Sequence, residues 1–362
     1  MEIAVLGGGH GCYAAAADMA EAGHSVRFWR RDAAAFAPVL ETGTVTVKDA
    51  KGKRAASIAR PTTDLSQAVA GAELIVIPLP ATAQAGLFAQ LVPLLADGQV
   101  VFLPPGTFGS YALLKAMRDA GNTANVACAE TGTLPWLCRK HGPAEVAISV
   151  RATRLPTGVM PAKDSERALA VIAEAFPSVE PIEDALSGAL MNAGPIIHPP
   201  LILMNAGPLE HFDAWDIHNE GTQPSIRRVT TALDGERMAV REAFGYGAPH
   251  FPLADHYDDD RDEWMYGDSS HERLTDSGDW REHIVLTEHR YMLEDTKLGL
   301  AFLVSAGEYA GVPVPVARGL LALGSAICGE DFRQTGRTFE TMGIAGLDRA
   351  ALTALLRDGP AA

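Results

Sequence analysis

The chain has 362 residues, enough for two domains, and its apolar (47%) and charged (21%) fractions are those of a folded globular protein. Its formal net charge is −15, and the composition does not indicate the basic surface that binds nucleic acid, so we expect no nucleic-acid partner. We see no membrane-spanning apolar run and no signal peptide ahead of the first strand, so we expect a cytoplasmic location and no membrane partner.

The first thirty residues predict a strand, a tight turn, a helix and a second strand. The apolar run Ile3–Leu6 is followed by a glycine cluster, a helix from about Cys12 to Ala22 that Gly23 ends, and a strand at Ser25–Trp29. A dinucleotide-binding glycine motif requires this context. We therefore expect these residues to contact a dinucleotide: Gly7, Gly8, Gly9, His10, Gly11 and Cys12.

The glycine motif departs from its usual pattern at the third position. Gly7 permits the turn and Gly9 lets the backbone approach a pyrophosphate, but Cys12 stands where glycine or alanine is usual. A small cysteine can roughly meet the need for close packing of helix and strand at this point. The alternative is a glycine turn in a domain that binds no nucleotide.

The end of the second strand bears on the choice of cofactor. NAD enzymes place an acidic residue there to hold the ribose hydroxyls, whereas this chain has Arg30 and Arg31. Guanidinium groups suit a 2′-phosphate, which favours NADP(H) over NAD(H). In the alternative interpretation, Asp32 takes the acidic role and both arginines face solvent.

More strands continue the first domain. They are predicted at Glu73–Pro78, Val100–Leu103, Val126–Cys128 and Val146–Val150, the last being the final strand, with an inserted hairpin over 44–60 that turns at Lys51-Gly52. Pro80 follows a strand at its carboxyl end, where such sheets bind ligands, and is assigned to the cofactor site. We predict an α/β fold: a Rossmann domain with a doubly wound sheet over residues 1–185 and an all-helical domain over 186–362.

Beyond residue 188 the strand signals stop and helical periodicity begins. Helices are predicted at Ser225–Phe244, Lys297–Ala310, Val316–Cys328 and 346–358. The segment 245–283 is either a lid or binding segment, or a solvated acidic excursion. The cysteines are irregularly spaced, which favours reduced thiols over disulfides and predicts no metal site: Cys12, Cys128, Cys138 and Cys328.

Two segments of the second domain hold the candidate catalytic groups. His198 precedes two prolines, so we expect it at a break in a helix, and Asp295 lies just ahead of an apolar helix. Arg290 stands five residues before that aspartate. A histidine that transfers a proton, an aspartate that holds it and an arginine that binds a carboxylate suit reduction of a C=O or C=N bond.

The chain resembles the octopine/nopaline (opine) dehydrogenase family along nearly its whole length. The matching blocks are VLGGGHGCYA at the start, 129–139, 192–207, 220–237 and 289–300. The resemblance implies a catalytic dyad of His198 and Asp295, with Arg290 on the substrate carboxylate. It also places Glu130, Thr133 and Asn205 among the substrate-binding residues.

The implied reaction joins a pyruvate-like 2-oxo acid and an amino acid through an imine that NAD(P)H reduces, together with the reverse oxidation. Ketopantoate or glycerol-phosphate reductases are the nearest alternatives, but they use a catalytic lysine, and this chain has none between Lys163 and Lys297. Lys297 remains a candidate for that role. A further alternative is a non-catalytic NADP(H) sensor. A homodimer stays open, because no pattern identifies a dimer face.

Overall fold

The computed structural model describes residues 1–267 and 280–361. The chain forms two compact units: Met1–Ala189 together with the segment from Thr353 onward, and Leu190–Leu352. The first unit thus ends four residues beyond the predicted boundary. It also includes the segment from Thr353 onward, which was predicted to belong to the second domain.

The strands are β1 (Glu2–Leu6), β2 (Ser25–Trp29), β3 (Thr44–Asp49), β4 (Gly52–Ser57), β5 (Arg60–Thr62), β6 (Leu74–Val76), β7 (Val100–Leu103), β8 (Ala127–Thr131), β9 (Trp136–Lys140), β10 (Glu145–Arg151), β11 (Leu155–Met160), β12 (Val179–Pro181), β13 (Trp215–Asp216) and β14 (Arg281–Glu282). The α-helices are α1 (His10–Glu21), α2 (Ala33–Thr42), α3 (Leu65–Val69), α4 (Ala81–Leu91), α5 (Gly109–Asp119), α6 (Ser165–Ala175), α7 (Ala185–Ala189), α8 (Gly194–Met204), α9 (Ala206–His211), α10 (Pro224–Phe244), α11 (Ala301–Ala310), α12 (Pro315–Cys328), α13 (Phe332–Thr335) and α14 (Arg349–Asp358). A π-helix spans Tyr291–Leu300, and short 3₁₀ turns lie at Val92–Leu94, Ala162–Asp164 and Leu253–Asp255.

The first unit is a Rossmann-like domain built on an eight-stranded sheet. The strand order is β12-β11-β8-β7-β6-β1-β2-β5, and the run from β8 to β5 is parallel. The inner strands are apolar without alternation because both faces of a parallel sheet are covered, and all four residues of β7 are buried. This confirms the predicted fold of the N-terminal half.

A second, four-stranded sheet in the order β4-β3-β10-β9 packs on α1. It contains the predicted hairpin of β3 and β4, which turns at Gly52. The prediction that Val146–Val150 is the last strand of the main sheet was wrong: these residues belong to β10, which pairs with β3 and β9. Its alternating burial fits a sheet that is covered on one face only. The main sheet instead ends with β11 and β12, which the sequence analysis did not find.

In the residues that the structure describes, the regular elements of the second unit are helices, apart from the two-residue pairing of β13 with β14. Helix α10 matches the predicted segment closely, and α12 begins one residue before its predicted start. None of the described helices combines the length and apolar character needed to cross a bilayer.

Two expectations about the second unit were wrong. Helix α8 continues through Pro199 and Pro200, so His198 lies within a helix and not at a break. Proline disfavours helical geometry at the preceding residue without forbidding it, and the buried apolar side chains of α8 hold the helix together. The helix predicted from Lys297 starts earlier, as the π-helix, so Asp295 lies inside it.

The segment 245–283 is described on both sides of residues 268–279. Several of its side chains are buried, including Phe251, His256, Met265 and Tyr266. A buried hydrogen bond of 3.0 Å joins Nε2 of His256 to the carbonyl of Phe251. This burial contradicts a fully solvated excursion over 250–266, whereas residues 268–279 lie outside the described part of the chain.

Candidate active site

The glycine loop joins β1 to α1 in the geometry of a phosphate-binding turn. Gly7 has φ of 126°, a conformation that favours glycine, and its N–H donates to the carbonyl of Trp29 at 2.9 Å. Gly9 is the N-cap of α1 and has no side-chain cap. A Cβ built on Gly9 would meet no atom within 4 Å, so there is room for a ligand above the first turn of the helix. These residues fit a bound dinucleotide.

Cys12 packs inside the turn. Its thiol lies 3.6 Å from the carbonyl oxygen of Leu6 and 3.7 Å from that of Pro78. Burial raises the pKa of Cys12 to about 12, so the thiol stays protonated at neutral pH. Cys12 therefore fills the place of the third motif residue as a small packing group.

The two predicted arginines have different surroundings. The guanidinium of Arg30 donates to the hydroxyl of Tyr13 at 3.0 Å and to the carbonyl of Ala35 at 3.1 Å, whereas Arg31 is exposed. The carboxylate of Asp32 accepts the N–H of Ala35 at 3.0 Å and caps α2. Asp32 thus has a local structural role.

Pro80 is the N-cap residue of α4, after β6, on the same carboxyl side of the sheet as the glycine loop. This position is compatible with the predicted cofactor contact. That contact remains a prediction.

Glu130 and Thr133 lie in the first unit, at the end of β8 and just beyond it. Glu130 is fully buried and accepts the N–H of Phe108 at 2.7 Å and the hydroxyl of Ser110. Its side chain lies so close to Gly106 that a Cβ there would come within 1.9 Å of Oε2. Glu130 therefore braces the 106–110 turn, and its predicted contact with substrate, like that of Thr133, stays a prediction.

In the second unit, His198 and Asp295 meet although they are 97 positions apart. Nδ1 of His198 lies 2.8 Å from Oδ2 of Asp295, with side-chain exposures of 14% and 5%. A carboxylate at Nδ1 fixes the ring orientation and favours the tautomer that carries its proton on Nδ1. Burial raises the pKa of Asp295 to about 7, and Arg290 opposes this rise.

Close packing of α8 against the π-helix brings the pair together. A Cβ on Gly194 would lie 2.2 Å from Oδ1 of Asp295, and one on Gly299 would lie 2.2 Å from Cγ of Pro195. The hydroxyl of Thr296 donates to the carbonyl of Tyr291 at 2.9 Å, five residues back, which matches the wider π-helical turn. π-Helical turns of this kind are frequent at functional sites.

Aromatic side chains surround His198, and the sequence analysis did not identify them. The ring of Tyr291 stacks on that of His198 with centroids 3.8 Å apart and planes 14° apart. His218 approaches edge-on at 6.0 Å, and Trp280 packs on His218 at 5.2 Å. Tyr291 directly follows Arg290 in the predicted motif, which was the one local signal for it.

The remaining predicted residues of the second unit differ in their surroundings. Arg290 is 46% exposed, with its guanidinium 3.6 Å from Glu294 and over the ring of Tyr291. It is thus placed beside the His–Asp pair and available to a ligand.

Asn205 is buried, and its amide is engaged by protein groups. It donates to the carbonyls of Leu201 and Gly221, at 2.7 and 3.0 Å, and accepts from the Trp215 indole at 3.1 Å. This geometry favours a structural role for Asn205, and its predicted contact with substrate stays a prediction.

Lys297 forms an ion pair with Glu330. Its ammonium group lies 2.6 Å from Glu330, which leaves it in an ion pair and weakens it as the proton donor that a ketopantoate-type reductase would need. Within residues 1–267 and 280–361, no cluster of three or more potential ligands is suited to a metal ion.

Comparisons with known proteins agree with this arrangement. Residues 181–328 match the family model of the NAD/NADP octopine/nopaline dehydrogenase alpha-helical domain, and residues 2–108 match that of the NAD-dependent glycerol-3-phosphate dehydrogenase N-terminus. The opine dehydrogenase of Arthrobacter sp. (strain 1C) is 30% identical over 361 residues, covering 96% of this chain and 97% of that protein.

Two solved structures share the fold. Octopine dehydrogenase in complex with NADH and agmatine superposes with a TM-score of 0.71 at 19% identity, covering 98% of this chain and 97% of the other. Yersinopine dehydrogenase with NADP⁺ bound gives 0.67 at 13% identity, covering 99% and 98%. The chain belongs to the opine dehydrogenase family of NAD(P)-dependent oxidoreductases.

Proposed function

We propose that this protein catalyses the reductive condensation of a pyruvate-like 2-oxo acid with an amino acid, and the reverse oxidation of the product. The observation that carries the proposal is the 2.8 Å contact between His198 and Asp295 on two packed helices. The two substrates lose water to give an imine, and one hydride and one proton then yield an N-(carboxyalkyl)amino acid. A bound nicotinamide dinucleotide supplies the hydride.

His198 is the proposed acid–base group. With Nδ1 held by Asp295, its Nε2 donates a proton in the reductive direction and accepts one in the oxidative direction. Asp295 orients the ring and stabilises the imidazolium form, and the stacked ring of Tyr291 limits the tilt of the imidazole. The side chain of Asp295 is only 5% exposed, so little water reaches this carboxylate.

Arg290 is the proposed contact for a substrate carboxylate. Its guanidinium is partly exposed, and its neighbour Glu294 stands at 3.6 Å, longer than a normal charge-assisted hydrogen bond. A planar guanidinium binds a carboxylate through two parallel hydrogen bonds. Both substrates of the proposed reaction carry a carboxylate.

NADP(H) is the proposed cofactor, in preference to NAD(H). Arg30 stands at the end of β2, where NAD enzymes have an acid, and the nearby Asp32 is engaged as the cap of α2. Among structures of similar fold, octopine dehydrogenase was solved with NADH and yersinopine dehydrogenase with NADP⁺. The fold therefore accepts either cofactor, and the proposed preference for NADP(H) rests on Arg30 and Asp32 of this chain.

The test is oxidation of NADPH in the presence of pyruvate and each of a panel of amino acids, with NADH in parallel. We expect turnover with at least one amino acid, formation of the secondary amine by mass spectrometry, and loss of turnover in His198→Ala. His283→Ala is the matched control, because His283 is exposed on the same unit, and it should retain activity.

Three outcomes would contradict parts of the proposal. Reduction of the oxo acid without an amino acid would indicate a hydroxy acid product and favour a ketopantoate-type reductase. NADPH binding without turnover of any pair would favour a sensor. Faster turnover with NADH would keep the reaction and overturn the cofactor preference.

A further inference from the structure

Lys140, which the sequence analysis did not assign to any site, lies beside the glycine loop. It is the last residue of β9, in the second sheet, which packs on α1. Its backbone N–H donates to Nδ1 of His10 at 2.8 Å, so the end of this strand is fixed to the first residue of α1. The main chain therefore delivers the lysine directly to the dinucleotide-binding turn.

The side chains of Lys140 and Arg30 converge on Tyr13. The ammonium of Lys140 stands 3.8 Å from the centroid of the Tyr13 ring, and the hydroxyl of the same tyrosine accepts from Arg30. A Cβ on Gly8 would lie 2.6 Å from Nε of Arg30, so this guanidinium rests against the glycine loop. Two cations from distant parts of the sequence thus share one tyrosine above the loop.

The electrostatics of this cluster are unfavourable without an anion. In the parts of the chain that the structure describes, no carboxylate forms an ion pair with Arg30 or Lys140. Burial and the charge of Arg30 lower the pKa of Lys140 to about 8. In a chain of net charge −15, two adjacent, partly buried cations with no acidic partner indicate a place for a bound anion.

We propose that Lys140 and Arg30 together form the site for the 2′-phosphate of NADPH, with Tyr13 as the platform that holds them. This rests on the cofactor preference proposed above and adds its second cation. Arg30 follows β2, whose carboxyl end faces the adenosine ribose in this class of fold, whereas the pyrophosphate lies at the glycine turn. A guanidinium fork and an ammonium point charge are complementary donors for one phosphate.

The experiment is isothermal titration with 2′,5′-ADP and with 5′-ADP, which needs no turnover and no nicotinamide. The wild type should bind 2′,5′-ADP more tightly. Lys140→Met should weaken 2′,5′-ADP by about tenfold and leave 5′-ADP unchanged, the size expected for loss of one charge-assisted contact. Lys140→Arg should keep most of the affinity. Lys48→Met, at an exposed lysine on strand β3 of the same sheet, should change neither.

Three results would overturn the proposal: an equal loss for both nucleotides, which would place Lys140 at the pyrophosphate; no loss for either; or a wild type that does not distinguish the two ligands. Thermal melting of Lys140→Met and Lys140→Arg identifies a variant that has failed to fold, and the arginine variant then carries the test. Failure of the opine reaction would appear as absent turnover with intact binding, so the two proposals fail separately.

Discussion

Replacing Asp295 by asparagine should lower the activity of this protein without a matching loss of stability. The substitution keeps the size of the side chain and removes the charge that faces Nδ1 of His198 at 2.8 Å. At that distance and an effective dielectric constant of ~20, the attraction between a carboxylate and an imidazolium is about 6 kcal/mol, part of which desolvation cancels. A loss of about 100- to 10,000-fold in kcat, or ~3–5 kcal/mol, is therefore expected.

The stability of Asp295→Asn, unlike its activity, should improve relative to the wild type as pH rises. Burial raises the pKa of Asp295 from 3.8 to about 7, so the folded protein binds this proton more tightly than the unfolded chain does. The free energy of unfolding therefore falls as pH rises between those values, and the cost of burying the charged carboxylate is complete above pH 7. Asparagine carries no such cost, although it weakens the bond to His198 by ~1–3 kcal/mol.

The assay is steady-state turnover together with melting temperature between pH 4 and pH 8. The difference in Tm between Asp295→Asn and the wild type should move in favour of the variant as pH rises, while kcat stays low throughout. Glu294→Gln is the matched control: it removes a neighbouring carboxylate whose side chain is likewise buried, at 4% exposure, and lies 3.6 Å from Arg290. A kcat of Asp295→Asn within about threefold of the wild type would contradict the proposed role of Asp295, and so would an equal loss of kcat in Glu294→Gln.

Three further variants test other parts of the structure. Gly194→Ala should lower both kcat and Tm, because its Cβ would lie 2.2 Å from Oδ1 of Asp295; unchanged kinetics would show that the helices can separate without cost. Asn205→Ala should lower the free energy of unfolding by about 1–3 kcal/mol in urea, since two carbonyls and the Trp215 indole lose a partner; a fall in kcat with unchanged stability would instead support the predicted substrate contact. Binding of 2′,5′-ADP should weaken as pH rises above 8, where Lys140 loses its proton beside Arg30 and Tyr13, and Lys140→Arg should hold its affinity to higher pH; equal pH profiles would contradict this.

Local sequence was sufficient to predict many of the secondary-structure elements of the first unit. Strands β2 and β7 have the bounds that were predicted, and the hairpin of β3 and β4 turns at Gly52 as expected. These elements follow from short-range features: apolar runs, a helix-ending glycine and a glycine with positive φ. The pairing of His198 with Asp295, in contrast, came chiefly from family resemblance, because spacing alone cannot bring together residues 97 positions apart.

Long-range packing decided the rest. Whether Val146–Val150 extends the main sheet or joins a second one depends on which edge is available to it, and not on its own apolar pattern. The same holds for the π-helix, whose wider turns belong to a helix packed tightly against α8, and for the continuity of α8 through two prolines. Lys140 shows the limit most clearly. Nothing in its neighbourhood marks it as a binding residue, and it stands beside Arg30, 110 positions earlier, only because a second sheet folds over α1.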